Sequence, residues 1–464
     1  MERYGECADW AEREFGGAEL GDVRRTERLV QIACGAASQV GAALSTVCGK
    51  SGSQAATRVF GRDETTIDAV TAPHIKQTSI RCSGLSRILA VQDTSSLDLT
   101  THKSTQGLGP ISTCEHSRGL LMHSALAVSE QGLTLGLLGI QVWARDQKTR
   151  GCAKNRRERP VSDKESNKWL VGLEQIQSSL QEGEVLVVAD RESDVYAYLI
   201  APRREGVELL VRLSHNRAVE DEEYSYVLDA LNGINAAGEY EVEIPRQGAR
   251  KARAAKLEVR IAQVTLKPPR HRSVDVADVN IAVSVIKAAE KDAPDGVEPV
   301  EWTLLTTELV DDLKAAKQMI QAYTQRWVIE EYHRVLKSGC RVEQMQYDTM
   351  ERFLPALGIQ CVVAWRVLHL TKQSRIRPTA DAKEVASKEE VEVLSLWLKS
   401  QREKCWKIAT AKDFTIAVAR MGGFLGRKSD GMPGTKTIWQ GLRSLEILML
   451  GHRLATRPSE VIQD

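Results

Sequence analysis

Val185-Leu186-Val187-Val188-Ala189-Asp190 is the stretch on which the fold turns. Five apolar residues run without polar alternation, the pattern of a strand buried on both faces. A helical pattern precedes it, with Trp169, Leu170, Leu173, Ile176 and Leu180 on one face, and a short second helix follows through Tyr196 and Leu199. Further upstream, Ile88-Leu89-Ala90-Val91, Leu120 to Val128 and Leu133 to Val142 read as three successive strands. Three meandering strands followed by strand and helix alternation indicate an α/β domain with a mixed sheet.

Outward from this core the texture changes twice. Between about 217 and 300 the pattern alternates, as in Tyr240-Glu241-Val242-Glu243-Ile244, Leu257 to Ile261 and Val279 to Val285, which fits an all-β insertion. After Asp311 the chain reads as helical nearly to its end, with Leu394, Trp397 and Leu398, then Leu442, Leu445, Leu448 and Met449, at helix spacing. At the other end, Asp22 is a helix N-cap for a segment to Ala37 in which Leu29, Ile32, Ala33 and Ala36 form the apolar stripe. Arg24, Arg25 and Arg28 lie largely off that stripe, free to meet DNA or simply to face water. The expected division is a helical N-terminal domain at 1–72, an α/β domain at 73–375 and a helical C-terminal domain at 376–464. Cys48-Gly49-Lys50-Ser51 resembles the end of a phosphate-binding loop, but Leu44 stands where that motif needs glycine.

The bulk properties suit a soluble globular protein of several domains: 464 residues, 42% hydrophobic and 27% charged. A net charge of +1 does not decide for or against nucleic acid, because the cations are bunched. Arg145, Lys148, Arg150, Lys154, Arg156, Arg157 and Arg159 form one strip, and Arg246, Arg250, Lys251, Arg253, Lys256, Arg260, Lys267, Arg270 and Arg272 another. Each reads either as a phosphate-tracking surface or as a solvated face. Nine cysteines without a C-x-x-C pair, and no secretory leader pattern, lead to the expectation of a cytoplasmic protein whose cysteines pack rather than bind zinc. The apolar tract from Ile359 to Val367 is too short for a membrane span, so no membrane association is expected.

Two of the apolar runs lead into carboxylates, Asp93 and Asp190, and Arg191-Glu192-Ser193-Asp194 adds further acids beside the second. Carboxylates at the ends of neighbouring strands converge on the kind of oxygen-rich site Mg²⁺ favours. Either aspartate alone is equally an N-cap or turn residue. Tyr323, Arg326, Glu330 and Lys337 fall within roughly a 60° arc of one helix face at about 100° per residue. One carboxylate among a tyrosine and cations suits a metal-bound phosphodiester, with Glu330 for the ion and Arg326 and Lys337 for phosphates. The same stripe also reads as a solvated face laced with ion pairs, Glu330 to Arg326 or Arg334.

The run from Tyr323 to Lys337 resembles the Y-x2-R-x3-E-x6-K block of bacterial DDE transposases of the insertion-sequence-four family, Y-R-E-K group. Asp190-Arg191-Glu192-Ser193-Asp194-Val195-Tyr196 is similar to the second-aspartate block of that family, and Asp93-Thr94-Ser95-Ser96-Leu97 to the first. Looser likenesses extend from Ala8-Asp9-Trp10 and Leu20 to Arg25 to Ala419-Arg420-Met421-Gly422-Gly423-Phe424. The resemblance implies an RNase H-like catalytic core with a β insertion, flanked by an N-terminal end-binding domain and C-terminal helices that pair two protomers. It implies that Asp93, Asp190 and Glu330 are catalytic and hold two Mg²⁺, with Mn²⁺ as a substitute. Tyr323, Arg326 and Lys337 would grip phosphates, Trp302 would stack a flipped base, and Arg24, Arg25 and Arg28 would meet the end DNA. The implied partners are double-stranded DNA, as terminal inverted repeats and target, and a second copy of the chain in a synaptic homodimer.

Two other functions are compatible with the same residues. An RNase H-like nuclease would cut without joining, yet needs neither the basic N-terminal helix nor the C-terminal helices. A DNA-binding regulator or inhibitor of transposition would have no use for an intact acidic trio.

Overall fold

A computed structural model describes residues 5–114, 116–146, 159–244, 253–270, 272–273, 275–401, 407–427 and 430–456. Its centre is a sheet in which β1 (Arg87–Asp98), β3 (Arg118–Ser129) and β4 (Thr134–Trp143) run antiparallel, while β5 (Glu184–Ala189) and β6 (Val207–Arg212) lie parallel to β1 and to each other. The order across it is β4-β3-β1-β5-β6, an RNase H-like core; β2 (Gly109–Pro110) is a two-residue strand beside β3. The sequence reading passes over β6, a central strand.

Side-chain parity decides what each face holds. On β1, Leu89 and Val91 join the large core beneath the helices that follow the insertion, while Ile88 and Ala90 join the core under α5 (Asn167–Ser179) and α6 (Tyr196–Leu199). On β5, Leu186 and Val188 go to the first core and Val185, Val187 and Ala189 to the second. Both strands are therefore apolar on each face, as continuous hydrophobic runs require.

The segment after β6 does not form a separate module. β7 (Gly238–Ile244), β8 (Arg253–Leu266), β9 (Ile281–Glu290) and β10 (Glu301–Thr306) form an antiparallel meander, and β10 pairs antiparallel with β6. The insertion thus extends the core into one ten-stranded sheet, with a short helix, α7 (Val227–Gly233), in the same segment.

Four N-terminal helices, α1 (Gly5–Phe15), α2 (Val23–Ser38), α3 (Leu44–Phe60) and α4 (Ile67–Cys82), lead into the sheet. Asp22 caps α2 by accepting from the Arg24 amide at 2.9 Å. The Cys48-Gly49 turn is a kink within α3, with Gly49 at φ +69°. After the insertion come α8 (Leu313–Thr324), α9 (Trp327–Arg334) and α10 (Met350–Ile376). Among the described residues α10 is the one helix long and apolar enough to cross a membrane, and it lies mostly buried as the core helix between the N- and C-terminal elements. The helices α11 (Lys388–Ser400), α12 (Ala411–Met421) and α13 (Thr435–Thr456) surround a core of their own. Capping boxes start α11 (Ser387 with Glu390) and α12 (Thr410 with Asp413). A Cβ on Gly441 would stand 1.8 Å from the Val418 carbonyl oxygen, so α12 and α13 meet backbone to backbone at a point only glycine allows.

Candidate active site

The parity that buries Leu89 and Val91 beneath the later helices also sends Asp93 to that face, and the parity of Leu186 and Val188 does the same for Asp190. Parallel pairing ends at Val91↔Val188, so the two aspartates stand two residues beyond it on adjacent strands, in matching positions. β1 does not stop at Asp93 as the sequence reading supposed. It continues to Asp98 because β3 still pairs with it there. Burial, reinforced by the charges of Asp190 and Glu330, pushes the Asp93 carboxyl up to about 6, against an opposing hydrogen bond from the Thr94 amide. Burial also raises Asp190, with the charge of Glu192 adding to it. Asp190 does cap the short turn Arg191–Ser193, accepting from the Glu192 amide at 2.9 Å, so the capping role and the site position coexist. Asp194, by contrast, is turned away: it is buried, accepts from the Ser214 and His215 amides at 2.8 and 3.1 Å, and pairs with Arg217.

Glu330 arrives from the opposite wall. The stretch read as one helix face is three helical pieces. α8 ends at Thr324, 3₁₀-type bonds from Arg326 to Tyr323 (3.0 Å) and from Ile329 to Arg326 (3.3 Å) tighten the join to α9, and Val335–Gly339 is a π turn closed by Cys340 N to Val335 O at 2.8 Å. Lys337 lies within this π turn. Its Nζ donates to the Ser96 carbonyl at 2.7 Å and pairs with Glu343 at 3.2 Å. Tyr323, Arg326 and Glu330 remain together. Arg326 Nη2 donates to Glu330 Oε1 at 2.6 Å, its guanidinium lies 4.9 Å from the centre of the exposed Trp327 ring, and its charge acts on both Asp93 and Asp190. Burial works against that charge. The bond to Glu330, with Tyr323 and Asp93 nearby, outweighs it and holds the guanidinium above its ordinary range. Tyr323 is buried, which raises its phenol, and its ring meets Trp302 edge-on at 6.0 Å.

As placed, no three His, Cys, Asp or Glu side chains among the described residues stand close enough to hold an ion together. The donor set still fits one: burial raises Asp93, the charges of Asp190 and Glu330 add to that rise, and the Arg326 cation among them eases a repulsion that a hard divalent ion would also relieve.

Three domain families match this chain. Residues 7–65 match the transposase DNA-binding domain, 160–365 the transposase DDE domain, and 362–462 the transposase Tn5 dimerisation domain. Taken together and in this order, the three matches support a DDE transposase. Asp190 and Glu330 fall within the matched DDE region, whereas Asp93 precedes it. Among solved structures, a piggyBac transposase synaptic complex with hairpin DNA aligns at 11% identity and a TM-score of 0.32. The match covers 81% of this chain and 55% of that one, so the chain spans about half the length of that transposase.

In the transposase DNA-binding region, Arg24 is exposed, Arg28 is half-buried, and Arg25 is tied to the Leu20 carbonyl at 2.8 Å and to Glu64 at 3.2 Å. Five described residues of the two basic strips are held in ion pairs. Arg145 pairs with Glu165, Arg253 with Glu290, Lys256 with Glu239, Arg260 with Glu258 and Arg272 with Asp278. Lys148, Arg150, Lys154, Arg156, Arg157, Arg246, Arg250 and Lys251 lie outside the described residues. Sequence reasoning missed His333 and Ser124, which pack beside Asp93. Ser124 gives no signal within an apolar strand; His333 sits inside the quoted block, where only the contact itself reveals it.

Proposed function

We propose that this chain binds the terminal inverted repeats of a mobile element, cuts at them and joins the freed 3′-OH ends to target DNA. The reading rests on one observation: Asp93 on β1 and Asp190 just past the end of β5 each stand two residues beyond the last paired residues of these adjacent strands, close enough to Arg326 and Glu330 that all three charges act on Asp93. Asp93, Asp190 and Glu330 would hold two Mg²⁺, which when bound supply charge to a phosphodiester and lower the pKa of a coordinated nucleophile. Arg326, once released from Glu330, is placed to take a non-bridging phosphate oxygen by a charge-assisted bond. Tyr323 offers a phenolic O–H beside it, and Lys337 a further ammonium where β1 passes the site. Trp302, edge-on to Tyr323, is in reach of a base unstacked at the cut end.

These residues would serve four in-line displacements that differ only in the nucleophile: water at the end phosphate, the new 3′-OH on the opposite strand to form a hairpin, water on the hairpin, and the 3′-OH on target DNA. Each breaks one P–O bond and makes one. Arg24 and Arg28 would contact the end sequence, two copies would hold two ends together, and the reaction would take place in the bacterial cytoplasm.

The test incubates purified protein and Mg²⁺ with DNA carrying the inverted repeats that flank its gene, and resolves products on denaturing gels. Hairpins and strand-transfer products are expected, and Glu330→Ala abolishes both. Simple cuts without joining, or a shifted but uncut complex, would overturn the reading, as would full cleavage by Glu330→Ala.

A further inference from the structure

Asp93 on β1 and Ser124 on β3 are direct cross-strand partners in the antiparallel register. Across from them is His333, which follows Glu330 by three residues on α9 and therefore lies about one turn further along the same helix. The imidazole is buried between sheet and helix, with Nε2 3.4 Å from Ser124 Oγ and Nδ1 3.8 Å from Asp93 Oδ2. One buried ring thus spans a cross-strand pair of which one member belongs to the acidic trio.

The ring faces a hydroxyl with one nitrogen and a carboxylate with the other. A neutral imidazole has one donor nitrogen and one acceptor. Beside a carboxylate the donor belongs on Nδ1, because the other tautomer would aim a lone pair at negative charge. Nε2 is then the acceptor, and the Ser124 hydroxyl donates to it. At 3.8 Å the Nδ1–H presents its dipole to Asp93 without a formal hydrogen bond.

We propose that His333, keyed by Ser124, is a positioning residue for the metal site: it steadies one oxygen of Asp93 and links the orientation of Asp93 to the helix that carries Glu330. The proposal rests on the reading of Asp93 and Glu330 as ion ligands. Partners of metal-ligating carboxylates matter in this way because they fix the ligand's direction, and removing one costs about 10–100-fold in metal affinity or activity.

The test measures Mn²⁺ affinity of the DNA-free full-length protein, by electron paramagnetic resonance of the unbound ion, together with a thermal melt of each variant. Asp93→Asn and Glu330→Gln weaken binding if the acidic trio holds the ion. His333→Leu is then expected to weaken it by about tenfold or more, His333→Asn to recover most of the loss because its amide N–H can take the place of Nδ1–H, and Ser124→Ala to fall between wild type and His333→Leu. If Asp93→Asn and Glu330→Gln bind like wild type, the trio itself is misread. If those two weaken binding and His333→Leu does not, the positioning role alone fails. Equal losses in His333→Leu and His333→Asn, in step with lost stability, also overturn it. Should the leucine variant not fold, Ser124→Ala decides, with unchanged affinity counting against the proposal.

Discussion

Arg326 and Glu330 form an ion pair at 2.6 Å within one turn, near enough that both charges act on Asp93 and that of Arg326 also on Asp190. The guanidinium occupies the electrostatic place of the ion the carboxylates would otherwise attract. Arg326→Gln removes that compensation and leaves three coupled carboxylates facing one another, so the metal-free protein is expected to melt at a lower temperature. The same change frees Glu330. A ligand that binds only the folded state stabilises it by RT ln(1 + [L]/Kd), so the rise in melting temperature on adding Mg²⁺ should be larger in the variant than in wild type. Calorimetric scans with and without Mg²⁺ measure both, and equal Mg²⁺ shifts would count against the stand-in role. Cleavage of end DNA should nonetheless fall, because the phosphate contact is gone.

Lys337 gives a different kind of prediction, since its ammonium is tethered to the Ser96 carbonyl and Glu343 rather than to the trio. If it meets a phosphate, Lys337→Ala should make the slope of log K against log salt for end DNA shallower by about one. Glu343→Gln should leave that slope unchanged. Filter-binding titrations across salt concentrations test this, and an unaltered slope in Lys337→Ala would place the lysine outside the DNA interface.

How much of this was legible beforehand differs between elements. The runs at Ile88 and Val185 showed two buried strands and the carboxylates after them, because apolar residues on both faces leave a mark in the sequence. That the aspartates match in register was not legible, because pairing is a property of two strands at once. β6 went unread because its run, Val207 to Arg212, contains Glu208 and is short. The break in helix geometry around Lys337 was not legible either: a π turn is set by how Val335, Leu336 and Gly339 pack, and no local propensity announces it. The second basic strip looked free because two of its partners, Glu239 and Glu290, come from the neighbouring strands β7 and β9, while Glu258 lies within β8 itself beside Arg260.

Glu14 on α1 is buried with His74 and Arg81 of α4, accepting from His74 Nδ1 at 2.6 Å and from Arg81 Nη1 at 2.8 Å. Burial alone would raise Glu14, yet its two partners hold it below 4.5, while burial keeps His74 below 6.5 and neutral, with Nε2 accepting from the Leu137 amide. A depressed carboxylate contributes stability above its unfolded pKa and loses it as pH falls. A depressed histidine leaves the unfolded chain to take up the proton first, which also costs stability as pH falls below 6.5. Stability should therefore begin to decline below about pH 6.5 and fall faster below about 4.5. Glu14→Gln, which strands the Arg81 charge, should cost about 3 kcal/mol near neutrality. The gap between variant and wild type should narrow once Glu14 itself protonates. Melting temperatures from pH 3.5 to 7.5, in steps of about half a unit, check the sign; a gap independent of pH would show that Glu14 acts by packing alone.

On α13, the residues that bind the helix to its own domain and those that face outward are cleanly separated. Ile438, Leu445 and Met449 are buried, while Ile447, Leu450 and Leu454 are 61%, 51% and 67% exposed. The latter three sit at offsets 0, +3 and +7, one apolar stripe about 60° wide at ~100° per residue, on the side away from the buried set. The segment belongs to the match with the Tn5 dimerisation domain, and a stripe of this kind is what a partner helix would cover. Leu450→Glu with Leu454→Glu should leave the melting temperature within a few degrees of wild type, because neither side chain is packed in the monomer. The same pair of charges should be costly when two copies press the stripes together, since each would be desolvated without a counter-ion. Sedimentation of the protein with end DNA should then give one protomer per DNA in the variant and paired complexes in wild type. Strand transfer should fail in the variant even though a single end is still bound. If the variant still pairs, the protomers meet on another face, and the stripe on α13 needs a different partner.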